Sequence, residues 1–138
     1  MSPELELVNH WLQIAENDLR AAQVDLDVNP PLVEDACFHC QQVVEKVLKA
    51  FLTFHGIEFE KSHEIEYLLD LCIGKTSSFE QVRDIAGPLT SYAVRIRYPY
   101  PGPPLTLDEA RETLSVARQV WNFVLPLLPR EVHPSTIH

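Results

Sequence analysis

Glycine is scarce, with 4 in 138 residues against 11 prolines, so the chain has few flexible hinges and several points where a helix must stop. There is no Gly-rich phosphate loop, no dinucleotide fingerprint and no His-Glu-x-x-His motif. No run approaches the roughly 20 apolar residues that cross a bilayer. The segment from Met1 to Glu6 lacks the basic and apolar regions of a secretory leader, so a cytoplasmic location is the expectation. Cysteines number only 3; an odd set is not a closed disulfide framework. The pair in Cys37-Phe-His-Cys40 has no second pair to reach the about four ligands of a zinc site. The sequence implies no metal and no cofactor.

Positive charge is also in deficit, 11 basic residues against 20 acidic for a net charge of -9. That balance repels a polyanion at long range and argues against a broad surface wrapped by nucleic acid. The deficit is uneven. Residues 1–45 hold nine acidic residues and only Arg20, whereas residues 46–97 hold seven of each sign. An anion site belongs in that middle stretch.

What is present is helical periodicity. Ser2 and Pro3 form an N-cap and first-turn proline, and Leu5, Val8, Leu12, Ala15, Leu19, Ala22 and Leu26 then recur every third or fourth position. Asn29-Pro30-Pro31 ends that helix. A second runs from near Leu32 to about His55, with Gly56 as its exit. Ser62 is read as the cap of a short third helix through Tyr67 and Leu71, and Ser78 with Gln81 as a capping box for a fourth that Gly87-Pro88 interrupts. Four prolines between Tyr98 and Pro104 impose an extended loop. Thr106 and Glu109 open a last helix carrying Leu114, Ala117, Val120 and Trp121. The pattern predicts an all-α protein, an antiparallel up-and-down bundle of about five helices. One domain over residues 1–128 is expected, with 129–138 as a frayed, aperiodic tail.

Three short motifs carry a resemblance. Residues 36–50 contain Gln41-Gln42-Val-Val-Glu45-Lys46-Val-Leu-Lys49-Ala50, Ser62-His63-Glu64-Ile65 follows, and Arg97-Tyr98-Pro99 comes after the fourth helix. In this order and spacing they resemble the signature segments of the HEPN family, over roughly residues 5–125. The resemblance implies a HEPN-like bundle and a homodimer. It also implies a role beside a minimal nucleotidyltransferase, in a module of toxin–antitoxin type. Many HEPN proteins are metal-independent ribonucleases with an Arg, a spacer of a few residues and a His. This chain departs from that pattern, because no histidine follows Arg83, Arg95, Arg97 or Arg111 at that spacing.

Read physically, the second helix sets Cys37, Cys40, Val43, Val44, Val47, Leu48, Phe51 and Phe54 on an apolar side, and His39, Gln42, Lys46, Lys49 and Thr53 on another. That polar ladder offers donors and two cations to a phosphate or carboxylate; the plainer reading is a solvated face with Glu45 and Lys49 as an ordinary i,i+4 pair. Phe38, beside the ladder, is a candidate for a subunit contact or for stacking on a base. Arg95, Arg97 and Tyr98 form a second basic and aromatic group for nucleotide or RNA, or merely stabilise a helix C-terminus. Tyr98 is also a candidate acceptor of a nucleotidyl group, as an implication of the resemblance. His63 either caps a helix or faces His39. Cys37, Cys40, Trp11 and Trp121 are expected in the core. The expected nucleotide- or RNA-binding set is thus Gln42, Lys46, Lys49, Arg95, Arg97 and Tyr98, with His39, His63 and Arg97 as catalytic candidates. The alternatives are a divergent endoribonuclease using His39 and His63, and a helical interaction dimer without a ligand.

Overall fold

The computed structural model describes residues 1–87, 89 and 102–134. Among these there are five α-helices and no strand: α1 (Pro3–Asp27), α2 (Val33–Phe54), α3 (Ile65–Lys75), α4 (Glu80–Ile85) and α5 (Leu107–Val124). The all-α bundle expected from periodicity is what forms. Its boundaries follow local chemistry. Ser2 Oγ accepts from the Leu5 amide at the start of α1, with Pro3 in the first turn. At the end of α2, Gly56 takes φ 65°, Gly56 N donates to Thr53 O and Ile57 N to Leu52 O. These are the two hydrogen bonds of a Schellman cap. At α5, Thr106 and Glu109 exchange side-chain-to-backbone bonds of 2.9 and 3.1 Å, the capping box anticipated there.

Burial identifies α2 as the central helix. Fourteen of its 22 residues are buried, against four of 25 in α1. It packs on α1, α3 and α5 together, so no face of it remains a fully solvated stripe. Phe51 of α2 meets Phe79 with ring centroids 4.5 Å apart, and Phe79 meets Phe123 of α5 at 5.2 Å. Cys37 and Cys40 lie fully buried in this core, as expected. Burial pushes the Cys40 and Cys72 thiols up to about 12, which makes them packing groups rather than nucleophiles. Trp11 and Trp121 are half-buried, packed against the core edge.

Three local expectations need correction. Ser78 and Gln81 form no capping box; Ser77–Phe79 is a single 3-10 turn without a side-chain cap, positioned by the fully buried Phe79. Ser62 does not cap α3 directly, because its Oγ accepts from Glu64 N and the helix starts at Ile65. The segment after Pro129 is not uniformly frayed. Arg130–Val132 forms a 3-10 turn, Val132 is fully buried, and Asn9 Nδ2 of α1 donates to Val132 O at 2.9 Å. Absence of helical periodicity does not prevent one apolar side chain from anchoring a segment.

Candidate functional site

The polar ladder of α2 is not a solvated face. Glu45 is completely buried, Gln42 and Lys49 are buried, and Lys46 is nearly so. The expectation of an ordinary surface pair between Glu45 and Lys49 is corrected by the position of α2. Wrapped on three sides, it carries its polar residues inward, and a buried charge must then find partners.

Among the described residues, Lys46, Lys49 and His63 are cationic or donor partners of Glu45. Its Oε2 lies 3.1 Å from Lys49 Nζ and 3.5 Å from Lys46 Nζ, and its carboxylate lies 3.1 Å from His63 Nδ1. Lys46 Nζ also donates to Gln42 Oε1 at 2.6 Å. Burial pushes the Glu45 carboxyl up, but Lys46, Lys49 and the hydrogen bonds from Lys49 and His63 outweigh it, and the group is held below the ordinary glutamate value. Lys49 Nζ stands 5.5 Å from the Trp11 ring centroid and 6.0 Å from that of Phe59, a cation between two aromatic faces.

His63 reaches this cluster because the Schellman turn reverses the chain and the loop beyond it is pinned. Tyr67 Oη accepts from Glu60 N, and Ser62 Oγ accepts from Glu64 N, which fixes the loop on either side of His63. A neutral His63 donating Nδ1–H to Glu45 has Nε2 as its basic nitrogen. The ring is 68% exposed, whereas Glu45 behind it is wholly enclosed. A buried carboxylate thus orients an accessible imidazole, with one lysine beside it and a second caged behind.

Of the residues selected from sequence, Gln42, Lys46, Lys49 and His63 come together. His39 does not join them. Its Nδ1 lies 2.8 Å from Asp18 Oδ1 of α1, so the two histidines have different carboxylate partners. Phe38 is partly exposed and meets the His39 ring edge-on at 6.0 Å. Arg95, Arg97 and Tyr98 lie outside the described residues. Sequence reasoning missed Glu45 as the centre of the site. A signal was available: Leu52 lies seven positions on, about 20° from Glu45 around the helix, and a large aliphatic residue there marks a buried face. Among the described residues no group of three or more His, Cys, Asp or Glu is arranged to hold a metal.

The family model described as HEPN domain matches residues 8–128. The crystal structure of an archaeal HEPN homologue superimposes with a TM-score of 0.69 at 32% identity, covering 87% of this chain and 96% of that one. No curated protein gives a significant match.

Proposed function

The chain belongs to the HEPN family, and from that membership we propose that it is a homodimeric partner subunit of a minimal nucleotidyltransferase, binding nucleotide or RNA. HEPN domains often dimerise, and no helix among the described residues is long and apolar enough to cross a membrane. The observation that carries the binding reading is the set of Lys46, Lys49 and His63 around the single carboxylate of Glu45. Two lysines against one glutamate leave an excess of positive charge, held in place by the core, and a phosphate is the natural counterpart. Arg95, Arg97 and Tyr98 would add guanidinium groups and a ring. Tyr98 is the candidate acceptor for a nucleotidyl group from the transferase, in a toxin–antitoxin relationship; resemblance supports that part.

Calorimetric titration with ATP and with a short RNA tests the binding. Lys46→Ala and His63→Ala are expected to weaken it at least tenfold, and unchanged affinity in both would overturn the site. Incubation with a cognate transferase and ATP, followed by mass spectrometry, tests the partnership; an unaltered chain mass counts against Tyr98 as acceptor.

A second reading rests on the Glu45–His63 pair. A carboxylate that orients an imidazole is an arrangement for general acid–base catalysis, which favours a metal-independent endoribonuclease with Arg97 stabilising developing phosphate charge. Cleavage of RNA in EDTA that is lost in His63→Ala and Arg97→Ala would establish it. No cleavage by the parent chain returns the assignment to the binding subunit. Neither binding nor cleavage would leave a helical interaction dimer.

A further inference from the structure

A concave site lies apart from the Glu45 cluster. A cleft of about 560 Å3 opens between α1, α5 and the C-terminal turn, and none of its lining residues belongs to that cluster. Arg20 and Arg118 both line it. In a chain of net charge -9, two described arginines are neutralised, Arg83 by Glu66, Asp70 and Glu80, and Arg111 by Asp108. Arg20 and Arg118 have no carboxylate at ion-pair distance among the described residues. Arg118 is instead steered by a neutral group, donating from Nη2 to Gln23 Oε1, which fixes the guanidinium without cancelling its charge.

Much of the rest of the wall is apolar. Trp121 contributes its indole beside Leu19 and Leu125. His133 closes one end, its Nε2 within 2.9 Å of Leu125 O and 3.0 Å of Leu128 O, so the imidazole is locked by backbone carbonyls. Glu16 also lines the cleft; its carboxylate offsets one of the two arginine charges, which disfavours a polyanion. The volume falls in the range of small-ligand sites, about 300–1,000 Å3.

We propose that this cleft binds a small molecule with a planar ring and an anionic group, the ring against Trp121 and the anion between Arg20 and Arg118. A guanidinium pair suits either a phosphate monoester or a carboxylate, and the indole suits a flat apolar ring. This site is independent of the nucleotide or RNA reading above. The two tryptophans separate the sites, since Trp11 lies against Lys49 of the first cluster and Trp121 lines this cleft.

The test is calorimetric titration of the whole chain with AMP, benzoate and inorganic phosphate, paralleled by Trp121 emission in a Trp11→Phe variant. Saturable binding of AMP or benzoate is expected, with Arg20→Ala and Arg118→Ala each weakening it at least tenfold. Which probe binds better identifies the anion as phosphate ester or carboxylate. The arginines are exposed, so these variants keep the fold, and calorimetry stands even where Trp11→Phe does not. No saturable binding of either ring compound would overturn the proposal. So would inorganic phosphate binding as tightly as both, or AMP binding that is lost in Lys46→Ala but unchanged in the arginine variants, which would put the ligand at the Glu45 cluster.

Discussion

Glu45 in the middle of α2 and His63 in the loop before α3 are 18 residues apart in sequence and meet at 3.1 Å, one wholly buried and the other facing solvent. Neither residue alone is a site. Together they couple the core to the surface: the charge that Lys46 and Lys49 neutralise inside also sets the orientation of an imidazole outside.

Removing that carboxylate strands a buried cation. Glu45→Ala leaves Lys49 with its aromatic neighbours but no counter-ion, and the expected loss is about 3–5 kcal/mol in urea denaturation at neutral pH. Glu45→Gln, which keeps the shape and a hydrogen-bond acceptor, is expected to lose less. Equal stability of parent and Glu45→Ala would mean that the ion pairs are not formed.

Acid should reveal the same residue. Because the folded-state value of Glu45 lies below the ordinary glutamate value, its contribution is fully present above that ordinary value. It is lost as pH falls through the folded-state value, where protonation removes the charge that Lys46, Lys49 and His63 require. The parent protein is expected to lose stability over this acidic window, and Glu45→Gln to lose less over the same window. Denaturation midpoints at a series of pH values from neutral into that window measure the difference; parallel curves would exclude Glu45 as a source.

The two histidines should separate in function. His39 links α2 to Asp18 of α1 at a partly exposed position, so His39→Ala is expected to cost under about 1 kcal/mol and leave nucleotide or RNA binding intact. His63→Ala is expected to weaken binding while changing stability little, since its ring is largely exposed. Binding that fails in His39→Ala but survives in His63→Ala would reverse the assignment.

The C-terminal turn should prove structural. Deleting residues 129–138 removes the buried Val132 side chain and the acceptor for Asn9 Nδ2, an expected loss of about 2–4 kcal/mol from apolar burial and one hydrogen bond. Thermal denaturation of the truncated chain checks this, and an unchanged midpoint would restore the reading of a frayed tail.

Much of the fold was legible in the sequence because it is local. Ser2, Pro3, Gly56, Thr106 and Glu109 act within a turn or so of where they stand, so caps and breakers can be read without knowing the neighbours. The apolar spacing of α1 and α5, and the inward placement of Cys37 and Cys40, follow from helix geometry alone. The sequence also grouped Gln42, Lys46 and Lys49 on one face of a helix. It did not determine whether that face met water or protein. That was decided when α1, α3 and α5 closed around α2, since burial of a side chain depends on what other segments cover it. The same holds for His63, carried to Glu45 by the course of a loop, and for Val132, which reaches α1 from the other end of the chain. Hydrogen bonds between near neighbours are written in the order of residues; the partner of a buried charge is written only in the packing, because desolvation is a property of the whole enclosure.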